Sequence, residues 1–157
     1  MDAIVIGLVS DTHGIFRPSI TGALSGVSLI LHAGDVGGVA VLRALEAIAP
    51  VRAVFGNVDA RYAPLESRLA LDVGGLSIHV SHGDELGSPT PALLLERYAA
   101  DIIIFGHTHK PLIHRLGARL VVNPGAAGPR RFHLKPSVGR LVIADGRAEA
   151  EIVPLGD

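Results

Sequence analysis

The sequence contains no cysteine, which excludes disulfides and any metal site built on thiolates. Charged residues are sparse, 18% of 157, and no block of one sign occurs. With a net charge of −1, the chain lacks a broad basic footprint for nucleic acid. Long apolar runs are missing too. The first, residues 3–10, is too short to span a bilayer, and it follows an acidic Asp2 where a secretion signal wants basic charge. A cytoplasmic protein without a membrane segment is the expectation. Repeats, linkers and low-complexity tracts are absent, so a single domain over residues 1–157 is expected. What the chain has is apolar mass: 48% hydrophobic residues, enough for a sizeable core and incompatible with disorder.

That mass falls in short β-branched runs whose endings look alike. "AIVIGLVSDTHG" ends in Asp11 and His13, "SLILHAGD" in Asp35, and "VRAVFGNVD" in Asn57 and Asp59. "LSIHVSHGD" ends in His82 and Asp84, "IIIFGHTH" in His107 and His109, and "ARLVVNPG" in Asn123, Pro124 and Gly125. Apolar spacing predicts helices over residues 38–49 and 89–100, with a short one over 17–24. Gly74-Gly75 and Asp145-Gly146 predict two hairpins. Early βα alternation followed by hairpins predicts an α/β domain of two packed sheets flanked by helices. In such sheets ligands collect beyond the carboxyl ends of the strands. Here every run delivers a polar residue to that end.

The pooled endings are Asp11, His13, Asp35, Asn57, His82, His107 and His109. Carboxylate and amide oxygens with imidazole nitrogens, and no sulfur, suit Mn, Fe, Co, Ni or Zn better than Ca. Seven donors exceed one tetrahedral ion but fit two ions roughly 3.5–4 Å apart. Alternate residues of an extended chain are about 6.5–7 Å apart, so His107 and His109 are expected to point the same way and serve different ions. Thr108 would face away.

The motifs "DTH", "GD", "GNVD", "SHG" and "GHTH", in that order, resemble the calcineurin-like metallophosphoesterase superfamily. The resemblance is to its small prokaryotic phosphodiesterase branch, which also resembles the retromer subunit Vps29. It implies a four-layer fold, a two-sheet β-sandwich with helices outside. It also implies two divalent metal ions, manganese first among Mn, Ni, Co, Fe and Zn. Asp11, His13 and His109 would hold one ion, Asn57, His82 and His107 the other, and Asp35 would bridge them. Asp35, Asn57 and His82 are then the catalytic candidates. The implied reaction is phosphodiester hydrolysis by a hydroxide held between the ions.

Two positions depart from that pattern. Val58 stands where many relatives carry a histidine that contacts phosphate and protonates the leaving group. Ala126 stands where close relatives often carry serine near the rim. The basic stretch "PRRFHLKPS", residues 129–137, makes Arg130 and Arg131 candidate contacts for an anionic substrate, alongside Asn57 and with His133 as a further possibility. His32 and His79 lie inside strand-like runs and are read as core or sheet-face histidines, and His114 as a surface residue. The alternative to a phosphoesterase is a protein-interaction scaffold of the Vps29 type, with weak or no catalysis.

Overall fold

The computed structural model describes residues 2–61, 65–131 and 133–156. Two five-stranded sheets face each other. The first contains β1 (Ile4–Val9), β2 (Leu29–His32), β3 (Val51–Ala53), β9 (Ser137–Ala144) and β10 (Arg147–Pro154), in the order β10-β9-β1-β2-β3. The second contains β4 (Leu69–Val73), β5 (Leu76–Val80), β6 (Ile102–Ile104), β7 (Leu112–Leu116) and β8 (Arg119–Asn123), in the order β4-β5-β6-β8-β7. β1, β2 and β3 run parallel, as do β5, β6 and β8. Antiparallel partners close the sides: β9 and β10 in the first sheet, β4 and β7 in the second.

Period-2 alternation explains how short apolar runs serve two layers at once. In β1, Ile6 and Leu8 enter the core between the sheets, while Val9 faces the opposite side. In β6, Ile102 and Ile104 point inward and Ile103 outward. Both faces of these strands are covered, so unbroken apolar runs are required rather than alternating ones. Helices α1 (Ser19–Ala23) and α2 (Val39–Glu46) cover the outer face of the first sheet through Ile20, Val41, Leu42 and Leu45. Helix α3 (Pro91–Arg97) covers the second through Leu94. The result is the expected helix–sheet–sheet–helix stack.

The three expected helices form, each shorter than its sequence window. At α3, Thr90 caps the N-terminus by accepting from Leu93 N at 3.3 Å, and Pro91 follows at the first helical position. Tyr98 then turns extended and ends the helix. Both hairpins close where expected, with Gly74, Gly75, Asp145 and Gly146 all at positive φ. A third hairpin, β7 to β8, is not evident in the sequence. Its first strand carries Leu112, His114 and Arg115 in no clear alternation, and its exposure is mixed. No helix among the described residues is long and apolar enough to cross a membrane.

Candidate functional site

The parallel strands of both sheets end on one side of the sandwich, and the loops beyond them touch. Asp11 N donates to Gly34 O at 2.9 Å, His13 N to Asp35 O at 2.9 Å, and Gly106 N to His82 O at 3.0 Å. Close approach demands glycine at two points. A Cβ on Gly56 would lie 2.0 Å from Asp35 Oδ1, and one on Gly106 would lie 1.9 Å from Ser10 Oγ.

The rim is also strained. Six described residues other than glycine have positive φ: Asp11, His13, Asp35, His107, His109 and Asp145. Five of them belong to the seven sequence candidates, and only Asp145 sits in an ordinary hairpin turn. Left-handed backbone is unfavourable for residues with a Cβ, and such strain clusters at functional sites. This corrects the extended reading of "GHTH". The strand stops at Ile104, and His107 and His109 lie at φ 70° and 64° in a bent loop. They still diverge. His107 Nδ1 lies 3.2 Å from Asn57 Oδ1, whereas His109 Nε2 lies 3.3 Å from His13 Nε2 and 3.4 Å from Asp11 Oδ1.

The donor atoms converge as two overlapping groups. Asp11, His13 and His109 form one; Asp11, Asp35 and His82 form the other, with all donor atoms in each within 4.8 Å of one another. Asp35 Oδ2 reaches both, 3.7 Å from His13 Nε2 and 3.2 Å from His82 Nε2. Asp11 Oδ1 has a similar reach, 3.4 Å to His109, 3.7 Å to His13 and 3.9 Å to His82. Among the described residues all seven candidates thus meet at one rim. Arg130 and Arg131 are exposed on the neighbouring loop, and the charge of Arg131 reaches His13.

Hydrogen bonds aim these atoms. Asp11 Oδ2 accepts from Ser10 Oγ at 2.6 Å and from His107 N at 3.0 Å, leaving Oδ1 unbonded. His82 Nδ1 donates to Ala33 O at 2.8 Å, which turns Nε2 toward Asp35, where it makes no aligned hydrogen bond. Buried polar atoms without partners are uncommon. Here Asp11 Oδ1, His82 Nε2 and His109 Nδ1 are three, all on candidate ligands. Orphaned lone pairs on a mixed oxygen and nitrogen donor set fit divalent cations.

The charge balance agrees. Burial would raise the Asp11 carboxyl, but the imidazoles of His109, His13 and His82 with the Ser10 hydroxyl hold it well below the usual carboxylate range. Burial would likewise push His82 down, yet Asp35 and Asp11 carry it up to about 9. His13 is raised chiefly by Asp11, against burial. The two carboxylates therefore favour positive charge at this rim.

Several supporting residues carry signals that the motifs leave unassigned. Asp59 accepts from Val36 N, Gly37 N and Gly56 N at 2.9–3.0 Å, tying the Asp35 loop to the Asn57 loop. Asn123 donates from Nδ2 to Gly106 O and to Thr108 Oγ1, pinning the loop of His107 and His109. Thr108 does face away from the rim, toward Asn123. His32, fully buried, accepts from Gly34 N at Nδ1 and donates from Nε2 to Thr12 Oγ1, whose hydroxyl in turn donates to Val36 O. Burial pushes His32 down to about 4, so it stays neutral. His79 is buried, stacked on Tyr98 with centroids 3.7 Å apart, and His114 is exposed. Ala126 is buried, and the next residue's amide donates to Ser10 O at 2.9 Å.

The comparisons with known proteins agree with this geometry. Residues 4–146 match the calcineurin-like phosphoesterase superfamily domain, and the chain belongs to that family. A probable metallophosphoesterase of Methanothermobacter thermautotrophicus is 35% identical, covering 98% of this chain and 94% of its own. A phosphodiesterase of Methanocaldococcus jannaschii is 27% identical over 76% of this chain and 82% of its own. Vps29 of Cryptosporidium parvum has the same fold, with TM-score 0.78 and 20% identity over 99% of each chain.

Proposed function

We propose that the chain is a phosphodiesterase working with two divalent ions, manganese first among Mn, Ni, Co, Fe and Zn. The observation that carries this reading is the set of three buried, unpartnered side-chain atoms at one rim, on Asp11, His82 and His109, the first and last of them on strained backbone. Asp11, His13 and His109 would hold one ion, and Asn57, His82 and His107 the other, with Asp35 shared. When bound, the ions supply an acidified water for in-line attack and neutralise charge on the phosphoryl oxygens.

The chain's own residues orient and balance. Ala33 O and Ser10 Oγ keep His82 Nε2 and Asp11 Oδ1 turned to the rim. The amide of Val58 holds Asp35 Oδ1 at 3.1 Å, freeing Oδ2 to be shared. Arg130 and Arg131 would meet substrate oxygens with Asn57. Val58, 62% exposed, has no proton to give a leaving group, and general acid help is worth roughly 10²–10⁴-fold. Turnover is therefore expected to fall steeply across aryl diesters as leaving-group pKa rises. A flat series would overturn that role for Val58.

The deciding experiment is hydrolysis of bis(4-nitrophenyl) phosphate and 4-nitrophenyl phosphate by protein loaded in turn with Mn, Ni, Co or Zn. Metal-dependent diester turnover that collapses in Asp35→Asn supports the proposal. Folded, metal-loaded protein without turnover would favour the second reading, a Vps29-like binding scaffold, for which the exposed apolar Val58 at the rim is the supporting observation.

A further inference from the structure

A cleft of about 420 Å³ opens beside the half of the centre that carries Asn57 and His82. Phe55 and Ser81 line it, two residues ahead of Asn57 and one ahead of His82. The ends of β3 and β5 therefore serve the rim and the cleft together. One or two residues of chain, about 3.3 Å each when extended, separate these lining residues from the candidate ligands.

Three arginines from separate segments converge on this cleft: Arg61, Arg68 and Arg97. Several other arginines are held by partners within the chain. Arg52 meets Glu66 at 3.0 Å, Arg147 meets Glu149 at 2.8 Å, and Arg119 donates to three backbone carbonyls. Among the described residues, no acid and no carbonyl bonds Arg61, Arg68 or Arg97. Two of the three are instead laid over aromatic rings. Arg61 Cζ is 4.9 Å from the Phe55 centroid and Arg97 Cζ is 5.8 Å from that of Tyr98. A guanidinium held near a ring face keeps its N–H groups available for a forked bond to phosphate.

Two acids share the lining, Asp84 and Glu85. Glu85 is engaged locally, accepting from Gly83 N at 2.9 Å and from the Tyr98 hydroxyl at 2.7 Å. The cleft therefore holds three guanidinium groups without hydrogen-bond partners among the described residues against two carboxylates, of which Glu85 is already bonded locally.

We propose that this cleft binds a second phosphate group carried on one arm of the substrate, so that the preferred substrate is a phosphodiester bearing a further phosphomonoester. The inference rests on the phosphodiesterase reading for where the first phosphorus sits. Arg61 and Arg68 grip the second phosphate, and Arg97 adds to the field from the Tyr98 side.

The test separates binding from turnover. Thymidine 3′,5′-bisphosphate and thymidine 3′-phosphate are titrated calorimetrically into the manganese-loaded protein. The bisphosphate is expected to bind about tenfold tighter, the effect of one net charge-assisted contact. In the exposed double variant Arg61→Ala/Arg68→Ala that preference falls to about one, while 3′-phosphate affinity stays put. Arg61→Lys/Arg68→Lys restores part of it. A preference near one in the native chain, or one that survives in the alanine variant, overturns the proposal. Thymidine 3′-(4-nitrophenyl phosphate), with and without a 5′-phosphate, then reports kcat/KM. The 5′-phosphorylated ester is expected to turn over about tenfold better. Turnover of neither ester, with the binding preference intact, defeats the phosphodiesterase reading and leaves the cleft assignment standing.

Discussion

The two halves of the rim are built unequally. Around Asp11, His13 and His109 the donors are enclosed: Asp11 and His109 are buried and His13 keeps 26% side-chain exposure. The other half rests on buried His82 and Asp35, but its remaining donors, His107 and Asn57, are half-buried and exposed. The link between those two is a single 3.2 Å contact. Enclosure preorganises a site and excludes water, so under the proposed two-ion reading the first half would retain an ion and the second would exchange one or admit substrate. Asp11 belongs to both donor groups and Asp35 Oδ2 reaches both halves, which couples them.

The largest expected effect breaks the coupling itself. Asp35→Asn removes one of two buried charges facing His82. Losing one member of such a buried pair destabilises by about 3–5 kcal/mol, and an effect of that size on the barrier drops kcat/KM by about 10²–10⁴-fold, measured on an aryl diester. Next, the asymmetry predicts different metal losses. After dialysis, His107→Ala should retain close to one ion per chain, and Asp11→Asn close to none, by elemental analysis. Equal losses in both variants would erase the distinction between the halves.

A smaller effect tests the supporting contacts. Asn123→Ala frees the loop of His107 and His109, and residues that orient ligands are worth about 10–100-fold in metal affinity. The effect should be greater for the second ion than for the first. Arg52→Ala, in an exposed pair with Glu66, is the control, with stability expected to change by at most about 1 kcal/mol.

The gentlest perturbation is pH, and here the sign separates metal-free from metal-loaded protein. His82 is raised to about 9 in the folded state without ions, above its ordinary 6.5. Between these values the folded chain holds a proton that the unfolded chain has released. Its stabilising contribution is complete below 6.5 and is lost as pH rises through 9. Metal-free protein should therefore melt at lower temperature as pH climbs from 7 to 9. Metal binding must displace that proton, so metal affinity should rise over the same range. His32 and His79 act oppositely. Burial holds both down to about 4, so their contribution is complete above 6.5 and is lost as pH falls from there toward 4. Calorimetric melting of metal-free and loaded protein from pH 4 to 9 reads all three.

The fold was legible because both faces of the central strands are covered, forcing unbroken apolar runs such as "IIIF" that end sharply at polar residues. The donor set was legible because chemistry restricts it to a few residue types repeated at every strand end. Local backbone was not. Nothing in "GHTH" distinguishes an extended pair from two left-handed residues, since the Gly106 contact with Ser10 and the Asn123 bonds that bend the loop come from distant segments. Asp59 and Asn123 were visible in their motifs, but backbone amides and carbonyls contributed by other loops decide their roles. The β7 strand escaped because its pattern follows from its place at a sheet edge, facing Ala148 and Glu149 through Arg115. The arginine cleft is of the same kind, assembled from positions with no common motif.

The positive φ angles at Asp11, His13, Asp35, His107 and His109 also set the terms on which this chain evolves. Left-handed backbone costs a residue with a Cβ roughly 1–2 kcal/mol, and glycine essentially nothing. At five positions, then, the residue the proposed chemistry requires is one that glycine would outdo for folding. A lineage under selection for turnover must resist that drift. A lineage kept only for its surface would gain stability by yielding to it.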